Sequence, residues 1–215
     1  MWHNDHIRSF RILFMINTIF RIFQKQRSKD LYRYSKELNT CYIDVEIDFY
    51  RELYNEWDFS PITNRDLDEE LFEFLESSVE DISPKYNICI VFNIPENLKD
   101  AEKEEKSIQG FLNYFNYEIR KQNNKIRKTA NHAITCGIYG LMFLFAGTFA
   151  TQYLETHELY AKFSFLAEGL IIGGWVFGWH LIEIIFFRSE ELFSQKKILE
   201  RLRDAKIEFN YRQSA

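Results

Sequence analysis

The chain has no glycine-rich phosphate loop, no nucleophile elbow of the Gly-x-Ser-x-Gly kind and no His/Cys run at the usual zinc spacings. Each absence removes a class of chemistry: P-loop nucleotide hydrolysis, hydrolase-type acyl transfer and catalysis at a sequence-encoded metal cluster. The expectation is a protein that is not an enzyme and holds neither cofactor nor metal. Cysteine is scarce too. Cys41, Cys89 and Cys136 lie far apart, which predicts buried free thiols in a reducing compartment rather than a disulfide framework or a zinc site. Basic charge is missing where a nucleic acid would need it. Residues 41–110 carry nineteen Asp/Glu against six Lys/Arg, so phosphate backbones are excluded as a partner.

What the chain does have is two long apolar runs, residues 133–151 and 163–187. A helix crosses the hydrocarbon core with roughly 20 residues, so these runs predict a transmembrane hairpin over residues 131–187. Arg120, Lys121, Lys125, Arg127 and Lys128 precede the first run, and Arg188, Lys196, Lys197, Arg201 and Arg203 follow the second. The linker between them carries Glu155, Glu158 and a single cation, Lys162. By the positive-inside rule both termini of this multi-pass chain face the cytoplasm.

Residues 1–40 form a basic N-terminal segment in which Ile7, Phe10, Phe14, Phe20 and Phe23 alternate with Arg8, Arg11, Arg21 and Lys25. This predicts an amphipathic helix on the anionic leaflet, with packing against the rest of the protein as the alternative. Residues 41–130 read as a cytoplasmic α/β domain with a long connecting helix. From Cys41 to Tyr50, Ile43, Val45 and Ile47 alternate with Asp44, Glu46 and Asp48, a half-buried strand. Asp66 and Glu69 fit a capping box for a helix over residues 66–81, whose apolar face is Leu67, Leu71, Phe74, Leu75 and Val79. Pro84 follows that helix. Tyr86 to Ile94 is a second strand, closed by Pro95, and Phe111, Leu112, Phe115 and Ile119 mark the buried side of the next helix. Residues 188–215 supply a C-terminal helix and a third strand, 206–212, that returns to the soluble domain. The fold class is thus an α+β membrane protein: a small α/β domain of about three strands joined to a two-helix transmembrane hairpin.

The strand, then Ser-Pro-x-x-x-Arg-Asp-Leu-Asp at 60–68, the helix, the strand ending Ile94-Pro95, and the hairpin with Gly174-Trp-Val-x-x-Trp179 before Glu183 make up an ordered set. Over residues 42–211 this set resembles small bacterial membrane proteins of unknown function. The resemblance implies a cytoplasmic domain with a C-terminal hairpin, set as a multi-pass protein in a bacterial inner membrane, and no activity.

Three groups of residues are candidates for function. Gly137, Gly140 and Gly147 in the first run, with Gly173, Gly174, Gly178, Trp175 and Trp179 in the second, are expected to pack the spans, because close backbone contact replaces hydrophobic drive inside lipid. They join the two spans of one chain, or neighbouring copies as well. Glu168, His180 and Glu183 are intramembrane polar groups, whose expected roles are snorkelling, hydrogen bonds between subunits, or an ion path. Asp44, Glu46, Asp48, Arg65, Asp66 and Asp68 are a candidate partner surface, with helix capping and an Arg65–acid pair as the plainer reading. Together these give a membrane-anchored interaction or sensor protein that self-associates through its spans. Its expected partners are the lipid bilayer, further copies of itself and a cytosolic protein. The alternative is an oligomeric effector, a channel or bilayer-disrupting protein of bacterial stress or antiphage defence, which rests on architecture alone.

Overall fold

The computed structural model describes residues 31–157 and 160–212, so the basic amphipathic reading of residues 7–23 lies outside the described residues. The described residues fall into two compact units, 31–119 with 198–212 in the first and those between 120 and 197 in the second.

In the first unit the alternation of apolar and acidic residues produces β2 (Thr40–Glu46), with Cys41 and Ile43 fully buried and Asp44 and Glu46 in solvent. A short strand, β1 (Arg33–Ser35), pairs antiparallel with it through a turn in which Asn39 takes a φ of 50°. Asparagine tolerates that left-handed conformation, and its side-chain amide donates to the Lys85 carbonyl at 2.8 Å. β3 (Asn87–Pro95) and β4 (Lys206–Arg212) complete a sheet of order β1-β2-β3-β4, whose last two pairings are parallel. Parallel neighbours need a crossover. Helix α1 (Glu69–Asp81) makes the first. The second contains α2 (Ala101–Thr156), α3 (Tyr160–Glu183), a π-helical turn over Ile184–Arg188 and α4 (Ser189–Arg203). Both apolar runs therefore sit inside the β3-to-β4 crossover. β3 lies between two parallel neighbours and is buried on both faces, Cys89 and Val91 as well as Ile88, Ile90, Phe92 and Ile94, as central parallel strands are. The core joins these residues to Leu75 and Val79 of α1, Phe111 and Phe115 of α2, and Leu199 and Leu202 of α4.

Several sequence expectations need correction. The sheet has four strands rather than three; β1 is too short to show a period. The first predicted strand stops at Glu46 instead of Tyr50, because residues 50–53 turn into a 3-10 helix. Asp68, not Asp66, caps α1: its carboxylate accepts from the Leu71 N–H at 3.0 Å. Asp66 is held instead in the strand-like bridge that pairs Tyr54 with Leu67. Phe72 rather than Phe74 packs inward, edge-on to Tyr114, while Phe74 stays about half exposed.

In the second unit, α2 and the helix from Lys162 onward are each long and apolar enough to cross a membrane. Small residues bring α2 and α3 together. A Cβ on Gly147 would lie 2.6 Å from Ile171 Cγ1 and 3.0 Å from its backbone nitrogen. One on Gly174 would lie 2.6 Å from Leu144 Cγ and 3.1 Å from the Gly140 carbonyl. Gly173 faces the Phe143 ring, a Cβ on Gly140 would stand a tight 3.3 Å from Phe177 Cβ, and Gly137 stands at an ordinary contact distance from Leu181. Gly178 meets nothing within 4 Å, and Trp175 and Trp179 are 62% and 68% exposed. The two Trp side chains therefore stay outside the hairpin contact, while the Gly178 backbone enters it, its nitrogen 3.7 Å from where a Cβ on Gly140 would stand. Gln122 is buried, and its amide donates to the Leu192 carbonyl at 3.0 Å.

Candidate functional site

Two places gather chemistry, one in each unit. In the first, the segment between Tyr54 and Leu67 is fixed by hydrogen bonds at every turn. The Asp58 carboxylate accepts from the Ser60 N–H at 2.9 Å and from the Asp66 N–H at 2.8 Å. The Trp57 N–H donates to Asn55, and Arg65 Nε donates to the Ser60 carbonyl at 2.9 Å. From the other side Asn113 of α2 donates to the Thr63 carbonyl. Gly110 lets that helix pass so close that a Cβ there would stand 2.6 Å from Ile62 O. Yet on this pinned loop Trp57 is 94% exposed and Phe59 98% exposed. Phe59 borders an open groove of about 840 Å³, lined also by Val45, Glu46, Arg65, Asp68 and Phe74.

Asp58 is what holds the loop. The Ser60 hydroxyl, then the backbone N–H groups of Asp66 and Ser60, keep its carboxyl below the usual range. A carboxylate with a depressed folded pKa contributes stability that is complete above its unfolded value, about 3.9, and is lost as pH falls through the folded one. Protease cleavage within residues 55–66 is therefore expected to rise on acidification below about pH 4. Asp58→Asn should cause the same rise at neutral pH. Neutral-pH cleavage unchanged in that variant would remove Asp58 from this role.

The six residues expected to form a partner surface do not converge. Asp44 pairs with Arg33 at 2.8 Å, and Arg212 grips both Glu46 and Asp48. Asp68 is occupied as a cap. Arg65 bonds a carbonyl instead of an acid. Only Glu46, Arg65 and Asp68 line the groove. The sequence signal for the loop was present but has no period: two aromatics, Trp57 and Phe59, flanking an Asx-forming acid in an otherwise polar stretch.

In the second unit, His132 and Cys136 stand one turn apart on α2 and face His180 of α3. The two imidazole Nε2 atoms are 3.3 Å apart, and Cys136 Sγ lies 3.8 Å from His132 Nε2. The three donor atoms all lie within 4.8 Å of one another. His180 Nδ1 lies 3.2 Å from a carboxylate oxygen of Glu183. Cys136 is buried with Ala133 and Ile184, under Phe177 and Leu181. Of the three intramembrane polar groups named from the sequence, His180 and Glu183 meet. Glu168 is exposed and lies about 18 Å from His180 along the axis, at about 1.5 Å per residue. His132 escaped the sequence reading and Cys136 entered it only as a buried thiol, although a His-x-x-x-Cys spacing on a helix puts both on one face.

The three cysteines are buried free thiols, and burial pushes the Cys89 thiol up to about 11, a packing group rather than a nucleophile. Compared with protein-family models, curated proteins and solved structures, the chain matches none.

Proposed function

We propose that this chain is an integral protein of the bacterial inner membrane whose sheet domain acts on the cytoplasmic side as an interaction or sensor module. The observation that carries the reading is a loop locked by its own hydrogen bonds that leaves Trp57 and Phe59 in solvent. Ordered loops on a rigid scaffold are where binding residues concentrate. Exposed aromatics are the usual anchors of protein interfaces. Glu52, Glu56 and Glu70 around the groove favour a partner segment that combines basic and apolar side chains. The same acids disfavour docking of this loop on an anionic leaflet. Two helices of spanning length and apolarity, with cationic flanks on one side, support the membrane setting.

A second reading has its own observation. Glu168, Ile172, Trp175, Trp179 and Glu183 share one face of α3, and the described residues leave that face exposed. An acid facing lipid costs about 2.5–3.5 kcal/mol on insertion scales, so covering this face with further copies is favourable. That favours self-association through the spans; an oligomeric effector of stress or antiphage defence would build on it by analogy of architecture alone.

A photo-reactive residue in place of Phe59 tests the first reading in intact cells. The expected result is one discrete adduct with a cytosolic protein, lost when Trp57→Ala and Glu56→Lys are added. No adduct, or adducts only with lipid, would overturn the reading. Adducts formed solely with further copies of this chain would do the same and favour the second reading.

A further inference from the structure

We propose that His132, Cys136 and His180 bind a divalent transition ion of the zinc class, with Glu183 fixing the orientation of His180. The argument rests on the second unit alone and is independent of what the exposed loop binds.

Geometry comes first. Zinc–nitrogen bonds of about 2.0–2.1 Å and a zinc–sulfur bond of about 2.3 Å, set at tetrahedral angles, separate two nitrogens by about 3.3 Å and a nitrogen from a sulfur by about 3.6 Å. The observed separations are 3.3 Å and 3.8 Å. The remaining pair lies within 4.8 Å, a gap that a side-chain rotation closes. Two donors come from one helix turn and the third from the facing helix, so the backbone already presents them to a common point.

Protonation comes next. An ionised carboxylate only accepts hydrogen bonds, so Glu183 puts the proton of a neutral His180 on Nδ1 and leaves the Nε2 lone pair facing His132 and Cys136. This carboxylate–histidine arrangement is the usual outer support of a metal-bound imidazole. A hydrogen bond between the two imidazoles accounts for the 3.3 Å contact, but not for a sulfur at the same point or for the carboxylate behind His180. The apolar residues around Cys136 shield the sulfur side of the site, while His132 and His180 leave its other side open to an incoming ion. The π-helical turn that begins directly after Glu183 is a distortion frequently found at functional sites.

The balance is simple. As the ion binds, the Cys136 thiol loses its proton to solvent and the sulfur becomes a thiolate ligand. A neutral His132 moves its proton to Nδ1 so that Nε2 can coordinate. One thiolate and the Glu183 carboxylate together offset the 2+ charge. Three protein ligands leave a tetrahedral ion one position for water or an exogenous ligand. Because the donors come from both helices, the ion would staple α2 to α3.

The test uses the full-length chain in detergent, stripped with a chelator and titrated with Co²⁺ alone. The expected result is one ion per chain, with a thiolate-to-cobalt charge-transfer band and the visible bands of a tetrahedral site, all displaced by Zn²⁺. Cys136→Ser should abolish the charge-transfer band. Glu183→Gln should keep the band and weaken binding about tenfold or more. His132→Ala provides a second variant should the serine protein aggregate, and is expected to weaken binding while His157→Ala does not. No charge-transfer band in the wild type would overturn the proposal. So would equal Co²⁺ affinity in the wild type and in whichever of Cys136→Ser and His132→Ala stays monodisperse.

Discussion

Arg201→Met is expected to destabilise the sheet domain by roughly 2–4 kcal/mol, since a buried carbonyl left without a donor costs about 1–3 kcal/mol and water recovers part of that. The guanidinium sits on α4 and donates to the carbonyls of Val79 and Ile82 at 2.8 Å and of Ser83 at 3.2 Å. These mark the C-terminal end of α1, where a helix leaves carbonyls without intrahelical partners and where positive charge is favourable. α1 has no basic residue in its own last turn. A side chain from the far end of the sequence does that work. Burial lowers the pKa of Arg201, but from a value so far above neutrality that the charge persists. Hydrogen exchange of residues 69–83 in the detergent-solubilised chain should show roughly 30-fold or greater loss of protection at every 1.4 kcal/mol per decade. Arg201→Lys restores one donor direction out of the fork and should recover only part. Protection unchanged in the methionine variant would mean that water already serves those carbonyls.

Gly147→Leu should separate α2 from α3. Even an alanine Cβ there would stand 2.6 Å from Ile171 Cγ1, 3.0 Å from the Ile171 nitrogen and 3.2 Å from the Ala167 carbonyl. Two of these neighbours are backbone, which cannot rotate away. Overpacking of this kind costs about 1–3 kcal/mol for one or two added carbons, and leucine adds four. Gly178→Ala is the matched control: a Cβ at Gly178 meets nothing within 4 Å, and alanine favours a helix over glycine by about 1 kcal/mol. Thermal unfolding in detergent is expected to fall sharply for the Gly147 variant and to hold or rise slightly for the Gly178 variant. Equal melting of the two would show that close approach at Gly147 contributes nothing.

Periodicity made most of the fold legible. The apolar–acidic alternation around Ile43 identified β2. The Ile88/Ile90/Phe92/Ile94 series identified β3, and Ile207, Phe209 and Tyr211 identified β4. The two apolar runs identified themselves by length. Features with no period stayed hidden. β1 is three residues long. The choice of Asp68 over Asp66 as cap depends on a bridge between Tyr54 and Leu67 that only tertiary folding makes. The His132–Cys136–His180 group depends on which faces of two helices meet. Its first two members share a turn, but the third is supplied from α3, at a register that the small residues Gly140, Gly147 and Gly174 set. The exposure of Trp57 and Phe59 was illegible for the opposite reason. Aromatics in a polar segment are expected to fold inward, and here the loop's hydrogen bonds hold them out.

The place of β4 in the chain has a consequence for how the molecule is made. β3 is synthesised before residues 96–205 and its parallel partner β4 after them. Throughout that interval one side of β3 carries unpaired main-chain groups, the kind of edge that recruits foreign strands. The ribosome must therefore finish both apolar helices before the sheet can close. A chain stalled between them keeps that edge of β3 open, so sheet closure follows completion of the hairpin.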